Sequence, residues 1–556
     1  MCINLLYKIK NVAIYLLVAG MVTGCAQEDE GMIHDGDDMS APSYVSLRFV
    51  FPHAASTRAN PTGGEAGDGE EAGQGYEQDV SNITLFFYQA GDNDNGVNRN
   101  GDIDFATSVY VDDIKSDVIG PIETGALKKG KKYHLLAVAN AGDLRNIKSL
   151  DSLRTKTIEQ VYSLSGTTYG NFVMASAGNE SNVLNITDDN SKYNPATTTI
   201  EIERLAARVD YKVSDEYSLA EKEKKAVITR AMLVNLYNQP TYILKRVAAD
   251  VSGTGLLYLG DETTDNYVID PLTVSKTDNT GIDVSSKWYD RYFPNLTDKV
   301  NEDNKTDWED WLIKGDEITN PDDNTDKWLR IGYAKENTSS IDVQGENYST
   351  GVVFEAEYYN LGEGFTRGAT FFRVNKSFLY PTLEIAMKTH DNDFDEKKAF
   401  GSFEELNTYR SSLDGNDPAG YDKYLQTAKA GESSYEKYQW SNFKKDVLGY
   451  SGTGNVAVPT AKTRQVLHER TGNTTETFLN GRGYYTYWVK HNCGDASATI
   501  TGLPMENAIV RNNIYKLIVK SISKIGSDIP DDNSPEVSIE VKLDDSWYVV
   551  YDMEVE

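Results

Sequence analysis

The thiol of Cys25 is the reactive group with the clearest surroundings in this sequence. It follows Val22-Thr23-Gly24 and closes an apolar run from Val12 to Val22, itself preceded by Lys8 and Lys10. Small residues before a Cys, behind a basic and then an apolar segment, form a lipobox: the signal peptidase cuts before the thiol, which receives diacylglycerol. The apolar run is shorter than the roughly 20 residues a permanent transmembrane helix needs, so residues 1–25 are read as a signal peptide. Other candidate chemistry fails on spacing. His468-Glu469 opens a zinc-protease helix motif, but Gly472 stands where the second His belongs. Gly449-Tyr450-Ser451-Gly452-Thr453 lacks the closing Gly of a nucleophile elbow. Two Asp/Asn-rich stretches around Gly96 and Gly101 imitate calcium loops, yet Gly91 and Gly96 occupy the first ligand positions and no Glu closes either loop. His491, Cys493 and Asp495 lie close together without partners elsewhere, and read as a surface loop. Trp288, Trp308, Trp311 and Trp328 offer aromatic faces on which sugars stack, although a Trp more often anchors a core or a loop.

With six histidines, none in a recognisable constellation, no enzymatic activity, metal site or cofactor is expected. The formal net charge of −30 argues against nucleic-acid and anionic-membrane binding, both of which need Lys/Arg patches. Cys2 leaves with the leader and Cys25 carries lipid, so no disulfide framework is available and burial plus sheet hydrogen bonding must stabilise the chain.

The elements that must position these residues read as strands. Tyr is abundant (35) and Pro scarce (15), and the apolar runs are short and bounded by Gly, Asn and Asp, which is an all-β pattern. Residues 26–42 form an acidic tether. A strand follows over Tyr44–Phe51, in which Val45, Leu47, Phe49 and Phe51 share one face, and then Arg58-Ala59 and a Gly/Glu-rich linker to about residue 79. Clear strands recur at Ile83–Tyr88, Lys132–Asn140, Asn171–Ser176 and Thr197–Val213, the last with a bulge near Arg204 to account for a change of phase. A second set covers 226–238, 351–357, Leu383–Met387, 483–489 and 514–522, with a polar region at 250–345 and mixed helical signals at 392–450. This predicts two tandem β-sandwich domains with a boundary near residue 214, the second enlarged by insertions. At the C-terminus, Val537–Leu543 is a strand and Asp544-Asp545-Ser546 breaks it. Trp547, Val549, Tyr551, Met553 and Val555 then alternate with polar positions in a last strand, which either closes its own sheet or enters that of another chain.

Taken together, the lipobox, Ser56-Thr57-Arg58-Ala59, IEIERLAARVDYK (200–212), YYTYWVKHN (484–492), IVRNNIYKLIVKSISKIG (509–526) and VSIEVKLDDSWYVVYDMEVE (537–556) resemble the Bacteroidetes fimbrillins. The likeness is strongest to the Mfa1-like major subunit of short (minor) fimbriae; residues 250–450 match poorly. The acidic Glu28-Asp29-Glu30 behind Cys25 is similar to the signal that sends lipoproteins of that phylum to the cell exterior. The resemblance implies transthyretin-like sandwiches and a shaft subunit of a type V fimbria, delivered to the outer membrane as a lipoprotein. It also implies cleavage between Arg58 and Ala59 by an Arg-specific protease, loss of the strand carrying Val45, Leu47, Phe49 and Phe51, and filling of the gap by another copy's Trp547–Glu556. Implied partners are further copies of the chain, accessory anchor and tip subunits, and surface ligands on host or bacterial cells. The implied divisions are a propeptide (26–58), an N-terminal domain (59–213), a C-terminal domain (214–532) and a donor tail (533–556). A monomeric glycan-binding surface lipoprotein is the alternative from another class. Four basic and six acidic residues precede Ala59, so the remainder carries −28 and such a fibre resists bundling.

Overall fold

The structure is a computed structural model, and it describes residues 42–50, 70–90, 102–177, 182–248 apart from 222, 257–258, 267–273, 312–338 apart from 321–322, 349–390, 474–491, 506–530, 537–544 and 546–548. Expectations for Cys25, Phe51, Arg58, Ala59, Val549, Tyr551, Met553 and Val555 lie outside these residues, as do those for Trp288, Trp308, Trp311, Cys493, Asp495 and the helical signals of 403–429. The described residues belong to one compact unit.

The chain is all-β in character. The N-terminal half includes the strands β1 (Tyr44–Val50), β2 (Glu70–Ala72), β3 (Ile83–Gln89), β4 (Thr107–Val111), β5 (Val118–Glu123), β6 (Lys131–Ala139), β7 (Met174–Ser176), β8 (Asn182–Ile186) and β9 (Ala196–Arg204), with a one-turn helix α1 (Gly75–Gln78) after β2. Apart from β2 these strands form one eight-stranded sheet in the order β4-β3-β6-β7-β9-β1-β5, with β8 paired to β6. The central strands β3 and β6 read ITLFFYQ and KKYHLLAVA and are buried along most of their length. Such continuous apolar runs suit strands covered on both faces. β9 changes partner midway: Ala196–Glu201 pairs in parallel with β1, whereas Ile202–Arg204 pairs with β7. A strand that switches partners in this way turns a corner between layers.

The chain passes to a second sheet at Leu205, and its second core begins at Ala207. β10 (Ala206–Lys212) pairs in parallel with β15 (Ile514–Ile522) and antiparallel with β12 (Asp323–Lys335). With β16 (Val537–Asp544) and Asp316–Asn320 they complete a five-stranded sheet. Facing it is a four-stranded sheet of Tyr217–Ser218, β11 (Lys225–Val234), β13 (Gly351–Tyr359) and β14 (Arg482–Trp488). Val209, Tyr211, Tyr515 and Leu517 from the first sheet meet Val352, Phe354, Tyr358 and Tyr485 from the second in one apolar cluster, so this half is a two-layer sandwich.

Three expectations are corrected. Residues 197–213 are two strands in different sheets, not one strand with a bulge at Arg204, so the passage between sheets lies at Leu205 rather than near 214. The physical reason is hydrogen bonding remote in sequence: the Arg204 amide donates to Asn512 Oδ1 (3.1 Å) and the Asn512 amide to the Ala206 carbonyl (2.9 Å). Leu383–Met387 is helical, within Leu383–His390, where Leu383 and Ala386 share the buried side as i, i+3 neighbours. In the tail, Val537–Asp544 is an edge strand of its own sheet, paired with β15 from Ile514↔Asp544 to Ile522↔Val537. A donor tail beginning at residue 533 is therefore too long, and only the residues after Asp544 lie beyond that ladder.

Buried charges join the two cores. Glu77 in α1 accepts from Arg208 Nη1 on β10 (3.1 Å) and from the Tyr333 hydroxyl, while Arg204 Nε donates to the Glu77 carbonyl (2.7 Å). Arg511 is fully enclosed: it grips both oxygens of Glu336 (2.7 and 2.5 Å) and the carbonyls of Tyr242 and Ile243 (2.7 Å each). Arg511→Met strands the Glu336 carboxylate in the interior, and the expected cost is about 3–5 kcal/mol by urea unfolding. Adding Glu336→Leu is expected to recover part of that loss.

Candidate functional site: an interior strand slot

The residues that alternate most cleanly in the N-terminal segment are seated inside the sheet. Val45, Leu47 and Phe49 are 0%, 1% and 4% exposed, whereas Arg48 between them faces solvent. β1 lies between β9, in parallel register from Val45↔Ala196 to Val50↔Glu201, and β5, in antiparallel register from Tyr44↔Glu123 to Arg48↔Val118. Its inward side chains share a core with Ile119, Leu135, Ile186, Ile200 and Ile202.

Polar contacts fix the start of the strand. Asn190 holds Tyr44 at both backbone groups, accepting from its amide (2.8 Å) and donating to its carbonyl (2.9 Å). The Thr124 amide and hydroxyl both donate to the Ser43 carbonyl (2.9 and 3.0 Å), and the Ser43 hydroxyl donates to the Leu127 carbonyl (2.6 Å). At the other end the Phe49 amide donates to the Asp117 carbonyl (3.0 Å), and Arg48 pairs with the Asp117 carboxylate at 3.3 Å. The β5 register slips between Val45 and Leu47, so that Gly120 and Pro121 oppose the single residue Ser46. Gly120 has φ +126°, and a Cβ there would lie 2.8 Å from Ser46 Cα and from the Val45 carbonyl oxygen. Only Gly meets both conditions.

The slot is an arrangement for holding a strand rather than for bond chemistry. It presents three inward apolar seats at alternate positions and backbone donors and acceptors on both sides. Among the described residues no group of three or more His, Cys, Asp or Glu side chains stands where it could hold a metal. The strand Val118–Glu123 and its Gly120 have no counterpart among the sequence-derived elements. Gly-Pro inside six residues signals a turn, and only the pairing with β1 makes it an edge strand.

The remaining candidates are dispersed. Trp547 lies in β17 (Ser546–Tyr548), whose backbone pairs in parallel with β2, Glu71 opposite Trp547. Trp328 is no sugar platform: it is 4% exposed, with the ammonium groups of Lys212 and Lys516 at 5.4 and 5.0 Å from its ring. His491 is not on a surface loop. It is buried, with Nδ1 2.8 Å from the Tyr515 hydroxyl, and burial, aided by the charge of Lys245, pushes its pKa down to about 3.

An all-β chain whose N-terminal sheet is completed by a strand from the far side of a linker is what the fold and the slot define. Residues 476–556 match the family described as major fimbrial subunit protein type IV, fimbrillin, C-terminal, and the chain resembles the Bacteroidetes fimbrillins. No curated protein matches it. Among solved structures it is similar to a fimbrilin (FimA) from Porphyromonas gingivalis W83, at 13% identity over 92% of this chain and 99% of that chain, with a TM-score of 0.36. It is also similar to the tip fimbrial protein Mfa3 from Porphyromonas gingivalis, at 9% identity over 90% of this chain and 98% of that chain, with a TM-score of 0.32.

The lowered pKa of His491 sets a pH dependence. Below the unfolded value of 6.5 the unfolded chain takes up a proton that the buried imidazole refuses, until the pH reaches about 3. Stability therefore falls as pH drops through that window, by at most about 1.4 kcal/mol per pH unit from this group. His491→Gln is expected to narrow the difference in urea midpoint between pH 7 and pH 4.5.

Proposed function

We propose that this chain is a shaft subunit of a type V fimbria, exported as a lipoprotein anchored at Cys25, cut between Arg58 and Ala59, and polymerised by strand exchange. The observation that carries this reading is the place of β1. A strand that lies upstream of a lone Arg and a Gly/Glu-rich linker occupies an interior position of a sheet, so a single cut detaches it from everything downstream. α1, which follows β2, stays tied by the pair between Glu77 and Arg208, whose side chains are both fully buried, so the body keeps its own anchor once β1 leaves.

The vacated slot would expose three apolar seats and the ladders of β9 and β5. Refilling the seats of Val45, Leu47 and Phe49 is worth roughly 1.5–3 kcal/mol each, an upper estimate of about 5–9 kcal/mol. Backbone pairing adds about 1 kcal/mol per bond. Trp547, Val549, Tyr551, Met553 and Val555 supply an alternating apolar face, which matches the period of the seats. Both a removable strand and a donor tail are required of a shaft subunit; an anchor would keep its lipid and a tip would lack the tail. The anchor and tip subunits would be its partners at the two ends of the fibre, on the cell surface.

Treating purified precursor with an Arg-specific protease is expected to give a ladder of multimers on an unboiled denaturing gel. Arg58→Ala is expected to remain monomeric. Removal of residues 547–556 is expected to leave a folded subunit that is cut but does not join. Polymerisation by Arg58→Ala, or a cut chain that stays monomeric, overturns the mechanism.

A further inference from the structure

The pairing around β1 bears on one wall of the slot. β5 stands at the end of the sheet, and among the described residues its only ladder partner is β1. The contacts that flank β5 also run to the same strand: the Asp117 carbonyl to the Phe49 amide, the Asp117 carboxylate to Arg48, and Thr124 to the Ser43 carbonyl. Along β5 itself only Ile119 is buried, with Ile122 partly so, and the other positions are exposed. An edge strand that loses its sole ladder keeps too little burial to hold an extended conformation by itself.

We propose that β5 is a clasp, folded only while a strand occupies the slot, and that Gly120 is the residue that sets the register of the occupant. Departure of β1 releases Val118–Glu123, and an incoming strand re-forms it, so assembly orders a wall of the site as well as filling it. The bulge makes the clasp selective. Two residues of β5 must bracket one residue of the occupant, and that residue's backbone must pass within 2.8 Å of the space a Cβ at position 120 would take. A strand shifted by one position along the slot turns its apolar residues to solvent, and one shifted by two brings its apolar face back but meets the notch with a different residue. Because Ser46 Oγ also lies 2.5 Å from that space, the notch meets a different side chain in each such register, and by that side chain it discriminates between registers that apolar alternation alone leaves equivalent. The part of this proposal concerning the incoming strand rests on the strand-exchange reading above; the dependence of β5 on β1 does not.

Hydrogen exchange of the full-length chain tests both parts. Leu47→Asp drives β1 from the slot, because an unpaired carboxylate is not tolerated there. Amides of 118–123 are then expected to exchange at least about tenfold faster, while those of 131–139 in β6 keep their protection. Gly120→Val perturbs the clasp from its own side and is expected to expose 118–123 while 83–89 and 131–139 remain slow. If 118–123 stays protected when the β1 amides have opened, or if 118–123, 83–89 and 131–139 are lost together in both variants, the clasp is wrong. After cutting at Arg58, a synthetic peptide of residues 547–556 is expected to restore protection at 196–201 and at 118–123 together. Restoration at 196–201 alone overturns the clasp and leaves strand exchange standing. Restoration at neither counts against strand exchange, and the two variants still decide whether β5 depends on β1.

Discussion

One ladder position governs the N-terminal sheet. β1 satisfies the backbone of β9 on one side and of β5 on the other, while its inward side chains complete the apolar core. An interior strand is ordinarily the most secure element of a sheet, since both edges are paired and its side chains are fully enclosed. Here that role falls to residues that the segment from 51 to 69 separates in sequence from every other strand of the sheet. Every unusual feature nearby follows from making such a strand fit: Asn190 clamping Tyr44, the Gly120 notch, and an edge strand whose position depends on its neighbour.

The body can bear this because its two cores are joined elsewhere. Glu77, Arg204, Arg208 and Tyr333 form a buried polar seam on one side, and Arg511 with Glu336 forms another. Buried charges add little net stability when paired and cost several kcal/mol when one partner is missing, so they enforce a particular geometry more than they strengthen it. In this chain that geometry is the passage at Leu205, where β9 ends in one sheet and β10 begins in the next. Asn512 bridges the passage by taking the Arg204 amide and giving its own amide to Ala206.

The C-terminal strands divide along the same line. Val537–Asp544 is committed to the edge of its own sheet by an extensive ladder with β15. Among the described residues beyond it, Ser546–Tyr548 pair with β2 over three positions, Glu70–Ala72. Charge reinforces the separation: a chain at −30 discourages casual contact between copies, so joining them demands a specific apolar match.

Alternation at period two made the strands legible without a structure, because side-chain direction in an extended chain is set locally. The inward faces of Val45, Leu47 and Phe49, the all-β class and most strands from Ile83 to Ile522 follow from that rule. The helix at Leu383–His390 was missed because a five-residue apolar run fits either period. What only the tertiary structure decided is which strands share a sheet. Residues 197–213 alternate almost without interruption, yet they are divided at Leu205 by hydrogen bonds to residues some three hundred positions away. Val118–Glu123 carries a Gly-Pro that locally signals a turn, and it becomes a strand because β1 lies beside it. His491 looked like part of a loop and is buried against Tyr515. Local sequence sets the direction of each side chain, while the choice of neighbour is made by contacts between segments remote in the chain, and the slot around β1 is built entirely from such choices.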